Sequence, residues 1–218
     1  VSIRLLRDIG KSFAKQHIAN FGFDAAQLPD DLTLALGSSA VTPMQLAQAY
    51  SVIANGGYQV QPYFIERIQK FQEDDIFTAH PAVICDQQCE QINHELSQFE
   101  TELNDAQWPV DLLPADYAPR VVSEANIYQL TSMLNDVIQY GTGRRAKVLK
   151  RKDIAGKTGT TNDQTDAWFA GFHKQAATVV WLGFDDPQSL GRREAGGVAA
   201  LPIWIDYMRF VLKDVPHT

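Results

Sequence analysis

Residues 153–184, "DIAGKTGTTNDQTDAWFAGFHKQAATVVWLGF", decide the fold because they contain three strand-like runs in succession. Each run is short and bounded by turn residues, so we predict strands at 153–161, 165–173 and 176–184. Only the dipeptide "KQ" separates the last two runs, and so short a link joins antiparallel strands. This part of the chain is therefore expected to form an antiparallel sheet of three adjacent strands.

Helical patterns lie on both sides of these runs. The amino-terminal stretch "VSIRLLRDIGKSFAKQHIANFGF" has apolar residues every three to five positions, which predicts helix with Ile9, Phe13 and Ile18 facing the core. In "SAVTPMQLAQAYSVIANGG" we predict a helix that Thr42 caps and Gly56-Gly57 ends. Its predicted apolar face consists of Met44, Ala47, Tyr50 and Ile53 or Ala54.

Two more helices are predicted in the second half of the chain. "SEANIYQLTSMLNDVIQYGTG" has an apolar stripe that stops at Gly141, and "ALPIWIDYMRFVL" follows the last strand. The stripe of the first consists of Ile127, Leu130, Leu134, Val137 and Ile138. Between these helices lies a basic run at 144–152, which we interpret as a solvated loop in preference to a dedicated anion site.

A change of composition divides the chain. Acidic and amide residues dominate residues 71–118, and prolines interrupt this part, so we interpret it as a variable acidic insertion. We expect 1–70 to be the helical part of the main domain and 119–218 to hold the sheet and the last helix. Since the first residue is Val1 and a helical pattern begins at once, the chain is expected to start inside a larger protein.

The charge and the cysteines limit the possible partners. The chain has 19 basic and 26 acidic residues and a net charge of -7, so nucleic acid is not an expected partner. Cys85 and Cys89, with His80 and His94 nearby, could form a local disulfide, remain free thiols or bind zinc. We rank the disulfide first and zinc last, and we expect no metal or cofactor at the functional site.

The segment Lys157-Thr158-Gly159-Thr160 has the chemistry of an acyl-transfer site. Lys157 supplies a positive charge, and the missing side chain of Gly159 lets another backbone approach closely. The amide of Thr160 is a candidate oxyanion donor, because N–H groups that face developing negative charge are the usual device for acyl transfer. Carboxylate capture together with an oxyanion donor is the chemistry that this segment suits.

Several stretches together resemble one enzyme family in order and spacing. They are "LALGSSAVTPMQLAQAYSVIANGGYQVQPYFIERI", "GTGRRA", "KTGTTNDQTDAWFAGF", "VVWLGFDD" and "AGGVAALPIWIDYM". They resemble the carboxy-terminal part of the transpeptidase domain of class A (bifunctional) penicillin-binding proteins, whose motifs are S-x-x-K, S-x-N and K-T-G. The resemblance covers nearly the whole chain except about 71–118. It implies the penicillin-binding/β-lactamase-like α/β (α+β) fold, with an antiparallel sheet between helices.

The resemblance also implies roles for the K-T-G segment. Lys157 would assist proton transfer and the electrostatics of acylation. The hydroxyls of Thr158 and Thr160 would hold the terminal carboxylate of a D-Ala-D-Ala stem peptide or of a β-lactam, with Gly159 in the same substrate-binding segment. The Thr160 amide would form half of the oxyanion hole. We expect Trp168 and Phe169 to belong to the core of the neighbouring strand.

The implied context of such a domain is peptidoglycan cross-linking. The expected partners are stem peptides, β-lactams and an upstream half of the same protein that includes a glycosyltransferase domain. The expected location is the periplasmic face of the bacterial inner membrane, with an anchor that is not present in this chain. A β-lactam sensor or a non-catalytic cell-wall scaffold is the alternative function, and a β-lactamase is a neighbouring one.

The chain departs from the family pattern at the nucleophile. It contains no S-x-N string, and its single S-x-x-K string, Ser12-Phe13-Ala14-Lys15, lies on the wrong side of where S-x-N should be. We interpret this string as a chance match on a helix face. The catalytic serine is therefore expected upstream of Val1, and the 218 residues alone are predicted to be inactive.

Overall fold

The computed structural model of the chain describes residues 1–71, 75–84 and 117–217. Its α-helices are α1 (Ser2–Ile9), α2 (Lys11–Ala19), α3 (Pro43–Ala54), α4 (Glu124–Gln139) and α5 (Ala200–Val211). Its strands are β1 (Arg67–Gln69), β2 (Asp75–Thr78), β3 (Ala155–Thr160), β4 (Ala167–His173) and β5 (Ala176–Leu182). Short 3-10 helices lie at Leu32–Leu36, Arg144–Leu149 and Asn162–Gln164.

The predicted antiparallel sheet is confirmed. Strands β3, β4 and β5 lie side by side in that order within the described residues, and both pairs are antiparallel. Gly159 lies opposite Trp168, which in turn lies opposite Trp181. The observed strands begin and end up to two residues inside the predicted runs, because the flanking residues form turns.

Helices cover both faces of this sheet. On one face the rings of Phe169 and Trp204, which lie on β4 and α5, are 5.0 Å apart, and both side chains are fully buried. On the other face Phe172 joins a buried cluster with Val52 of α3 and Ile127 of α4. The α/β (α+β) fold with an antiparallel sheet between helices is therefore confirmed, and Phe169 belongs to the core as predicted.

Helix α3 begins as predicted, but its buried face differs from the prediction. Thr42 and Gln45 form a reciprocal capping box, and the helix ends at Ala54. Met44, which we placed on the apolar face, is 38% exposed, whereas Val52 is fully buried. The helix is apolar on most of its sides, so spacing alone could not select the face that packs against the sheet.

The amino-terminal helix is also different from the prediction. Gly10 has φ +87, a conformation that favours glycine, and it separates α1 from α2. Ile9 and Phe13 are 47% and 63% exposed, so the prediction that they face the core is wrong. The break changes the phase of the second helix, and Ala14 is the residue of α2 that is buried.

The stripe of α4 agrees with the structure at its two ends. Ile127 and Ile138 are buried, and the helix ends at Gln139, close to the predicted stop at Gly141. The basic run that follows is not solvated throughout. Arg151 is 6% exposed and forms a two-pronged pair with Asp153, with N–O distances of 2.8 and 2.6 Å.

The chain divides into two units, Val1–Gln59 with Val121–Thr218, and Val60–Arg120. In the second unit β1 and β2 form an antiparallel pair. The predicted boundaries at 70/71 and 118/119 stay predictions, and Cys85, Cys89 and His94 lie outside the described residues. In the part of the chain that the structure describes, no helix is both long and apolar enough to cross a membrane.

Candidate active site

The hydrogen bonds of the sheet direct the backbone of the K-T-G segment. Just after β3, the N–H of Thr161 donates to the carbonyl of Asp166, across from it on the approach to β4. In an antiparallel pair every second residue bonds to the partner strand, so Gly159 and Lys157 also bond toward β4. The amides of Thr158 and Thr160 therefore point away from β4, toward the open edge of the described sheet.

The two threonine hydroxyls lie on one face of β3, because side chains two residues apart in a strand share a face. The hydroxyl oxygens of Thr158 and Thr142 are 2.6 Å apart. Oγ1 of Thr160 accepts a hydrogen bond of 3.1 Å from the N–H of Gly196. Since this bond uses a lone pair, the hydroxyl proton of Thr160 is available to donate to a ligand.

Lys157 places a cation at the same edge. Its side chain is exposed, and Nζ donates a hydrogen bond of 2.7 Å to the carbonyl of Thr158, a carbonyl that points to the open edge. This four-residue segment thus brings together one ammonium group, two hydroxyls and the amides of Thr158 and Thr160, which have no hydrogen-bond partner among the described residues. A carboxylate bound at this edge can therefore accept hydrogen bonds from ammonium, hydroxyl and amide groups.

Glycines allow close packing around this segment. A Cβ on Gly196 would lie 2.1 Å from the carbonyl oxygen of Trp168 and 2.4 Å from that of Gly159, so only glycine fits. A Cβ on Gly159 would lie 3.1 Å from the Cβ of Trp168. The closest neighbour of a side chain at Gly159 would therefore be the Trp168 side chain. The close approach of another backbone to Gly159 in a bound complex stays a prediction.

A loop that the sequence analysis missed lies beside Thr160. Thr160, Gln164, Arg192, Arg193 and Ala195 line an open groove. Hydrogen bonds between residues 26 to 36 positions apart create this arrangement, which local sequence patterns do not reveal. The glycines at the two ends of "GRREAGG" were the signal for a loop that approaches another segment closely.

Asp166, to which the sequence assigned no role, organises the turn that follows Thr160. Its Oδ1 accepts a hydrogen bond of 2.7 Å from Nε1 of Trp181, and its Oδ2 accepts from the hydroxyls of Thr161 and Thr165. Its own N–H donates to Oγ1 of Thr161 at 2.8 Å. An acidic residue just before "AWFAGF" was the available signal for such a turn.

Ser12, the serine of the S-x-x-K string, lies on a different element from the K-T-G segment. Ser12 is exposed on α2, whereas Lys157 is on β3, and no hydrogen bond or ion pair joins them within the described residues. The residues of the described ranges also include no group of three or more His, Cys, Asp or Glu side chains that could hold a metal ion.

The chain is similar to known proteins in both sequence and fold. Residues 16–209 match the family model for the penicillin binding protein transpeptidase domain. The chain is 46% identical to penicillin-binding protein 1A of Pseudomonas aeruginosa, covering 100% of the chain and 28% of that protein. It is 42% identical to penicillin-binding protein 1A of Neisseria lactamica, over 99% of the chain and 23% of that protein.

A solved structure shows the same arrangement. The crystal structure of penicillin-binding protein 1A from Haemophilus influenzae matches with a TM-score of 0.81 and 36% sequence identity. The match covers 100% of this chain and 33% of that one. The chain therefore spans about a quarter to a third of the length of the proteins that it resembles.

Proposed function

Because the chain belongs to the penicillin-binding protein transpeptidase family, we propose that its K-T-G edge is one wall of the active site of a peptidoglycan D,D-transpeptidase. The observation that carries this proposal is the convergence of donors at the open edge of β3. The ammonium of Lys157, the hydroxyls of Thr158 and Thr160, and the outward Thr160 amide belong to one strand segment of four residues.

The donors of this segment suit two negative groups of one substrate. The hydroxyls of Thr158 and Thr160 bind the terminal carboxylate of a D-Ala-D-Ala stem peptide or the carboxylate of a β-lactam. The Thr160 amide stabilises the oxyanion that develops on the scissile carbonyl. Gly159 has no side chain, which leaves space for the substrate beside the strand. The ammonium of Lys157 lowers the energy of negative charge at the reacting centre.

The nucleophile is proposed to be a serine of an S-x-x-K motif in a part of the protein outside these 218 residues. The chain has no S-x-N string, its own S-x-x-K lies on α2, and its relatives are several times longer. The serine oxygen attacks the carbonyl of the penultimate D-alanine, and the terminal D-alanine leaves as an amine that takes a proton. An amine of a second strand then attacks the ester, which forms the cross-link and releases the serine.

Membership of this family supports further partners and a location. We propose that an upstream half of the protein includes a glycosyltransferase domain, and that the site faces the periplasm from the bacterial inner membrane. Stem peptides and β-lactams are the ligands. A β-lactam sensor or a scaffold would also contain this fold, and catalytic turnover distinguishes an enzyme from both.

The test uses the complete protein that contains this chain. We expect labelling by a fluorescent penicillin, release of D-alanine from an acyl-D-Ala-D-Ala peptide, and slower acylation after Lys157→Ala. Removing one preorganised group of this kind costs about 2 to 4 kcal/mol, or roughly 30- to 1000-fold in rate. Acylation of the folded Lys157→Ala variant at the parent rate would contradict the role of Lys157, and labelling without D-alanine release would favour a sensor.

A further inference from the structure

Two arginines lie in the groove beside Thr160. Arg192 and Arg193 line it together with Gln164 and Ala195, and both arginine side chains are exposed. Across the described ranges neither arginine forms an ion pair with a carboxylate. Two adjacent arginines with exposed side chains thus border a groove that also contains a proposed substrate-binding residue.

The loop that carries these arginines is fixed against the strand end. The N–H of Leu190 donates to the carbonyl of Gln164 at 2.8 Å, and the hydroxyl of Ser189 donates to the carbonyl of Asp163 at 2.8 Å. On the other side of the arginines, the N–H of Gly196 donates to Oγ1 of Thr160. Because hydrogen bonds hold the loop before and after the arginines, a ligand that binds there loses little free energy to ordering of the loop.

The backbone at the second arginine is held in an uncommon conformation. Arg193 has φ +70, in the left-handed region, and its carbonyl accepts a hydrogen bond of 2.9 Å from the N–H of Ala195. Such a conformation persists in a residue with a side chain only where the surrounding structure supports it. Here it turns the chain so that Arg192, Arg193 and Ala195 all border the groove.

We propose that Arg192 and Arg193 form an anion subsite for a second carboxylate of the donor peptide, separate from the terminal carboxylate bound by Thr158 and Thr160. The ligand class is an acidic peptide that ends in D-Ala-D-Ala, and the proposal rests on the proposed transpeptidase function. Guanidinium groups match carboxylates in geometry as well as charge. The chain has a net charge of -7, and a local pair of cations favours the approach of an acidic peptide to this part of the surface.

The test compares two donor peptides on the complete protein. Both end in D-Ala-D-Ala, and they differ in one side chain upstream, glutamate in the acidic peptide and glutamine in the neutral one. We expect the parent protein to form an acyl-enzyme faster with the acidic peptide, measured as kcat/KM for D-alanine release. Two exposed arginines support a preference of about threefold to tenfold, which declines as salt is added.

The double variant Arg192→Gln/Arg193→Gln should lose this preference while it keeps the parent rate with the neutral peptide. The matched control is Lys174→Gln/Lys213→Gln, which removes two exposed positive charges outside the groove. Equal rate losses with both peptides would overturn the proposal, because they would place the arginines on the terminal carboxylate. An equal loss of preference in the control would also overturn it, since the effect would then be general steering by charge.

The same measurement separates this proposal from the proposed function. If the parent protein releases D-alanine from both peptides at equal rates, the subsite proposal fails and the transpeptidase function stands. If neither peptide is processed and no penicillin adduct forms, the proposed function itself fails, and the subsite proposal fails with it.

Discussion

The backbone N–H of Gly196 donates a hydrogen bond of 3.1 Å to Oγ1 of Thr160. This bond connects the loop before α5 to the end of β3, across 36 positions of sequence. It occupies one lone pair of the hydroxyl oxygen, so the proton is directed elsewhere. The loop therefore has a chemical effect on Thr160 as well as a packing role.

The first prediction concerns the space at Gly196. In Gly196→Ala the new Cβ would lie 2.1 Å from the Trp168 carbonyl oxygen, so the loop or the strand must move. We expect a loss of about 1 to 3 kcal/mol in the free energy of unfolding, as for overpacked cores. Because small displacements in an active site are costly, we also expect about tenfold to 100-fold slower penicillin acylation of the complete protein.

Urea unfolding and the rate of fluorescent penicillin labelling are the measurements. Val198→Ala in the same loop is the control, because Val198 is 47% exposed and its truncation requires no movement. Parent-like acylation by a folded Gly196→Ala protein would show that the loop does not influence Thr160.

The second prediction concerns the Thr160 hydroxyl. Thr160→Val keeps the shape of the side chain, and it removes both the proton donor and the oxygen that accepts from the N–H of Gly196. Hydrogen bonds to charged groups contribute about 1.5 to 3 kcal/mol, so we expect roughly tenfold to 100-fold weaker binding of ligands that have the terminal carboxylate. A Thr178→Val control removes a hydroxyl on β5 that donates to the sulfur of Met208 on α5. Equal losses for carboxylate ligands and for carboxylate-free analogues, measured by competition with fluorescent penicillin, would refute the assignment.

The third prediction concerns the turn that Asp166 organises. Both carboxylate oxygens of Asp166 accept hydrogen bonds, from Trp181 and from the hydroxyls of Thr161 and Thr165. Asp166→Asn replaces one of these acceptor oxygens with an NH2 group, which can only donate. A lost acceptor leaves donors unpaired, which costs about 1 to 2 kcal/mol in a partly buried site. We expect a lower urea midpoint and slower acylation, since the turn begins directly after Thr160.

Asp163→Asn is the matched control for this change. Asp163 lies in the same turn with φ +58, which asparagine also tolerates, and only its backbone carbonyl has a hydrogen bond in the described structure. If both variants lose the same stability, the carboxylate of Asp166 has no particular role.

Local patterns predicted what is local in this protein. The strands around Lys157 and the helix cap at Thr42 follow from neighbouring residues, so the sequence predicted them correctly. The contact of Gly196 with Thr160 depends on segments far apart in sequence, and no local pattern encodes it. The exposure of Phe13 was missed because a regular apolar spacing does not show that Gly10 breaks the helix.

The fourth prediction concerns pH and a buried histidine. His173 is 1% exposed; its Nδ1 accepts from the N–H of Gln175, and its Nε2 lies 3.4 Å from Oδ2 of Asp153. Burial lowers the pKa of His173 below its usual value of 6.5, and Asp153 opposes this shift while Arg151 adds to it. The folded protein therefore holds this imidazole neutral at a pH where the unfolded chain begins to bind a proton.

The sign of the effect follows from that difference in proton binding. Well above pH 6.5 the imidazole is neutral in both states, so it adds no pH dependence. As the pH falls below this value, the unfolded chain binds a proton that the folded protein does not, and the free energy of unfolding decreases. We expect the free energy of unfolding of His173→Gln, measured with urea between pH 8 and 5, to lack this part of the decrease. The exposed His80→Gln serves as control, and parallel curves for parent and His173→Gln would contradict the prediction.

The last prediction concerns the 218 residues as an isolated chain. Acylation requires a nucleophile beside the oxyanion donor, and the chain's single S-x-x-K string is Ser12 to Lys15. Ser12 is exposed on α2, and Ala14 is the residue by which that helix packs inward. A donor without a nucleophile can bind a carboxylate but cannot form an ester. After incubation with a fluorescent penicillin, mass spectrometry should therefore find no adduct on the isolated chain, while the complete protein is labelled. An adduct on Ser12 would show that the catalytic serine is present in these residues and that α2, not an upstream segment, supplies it.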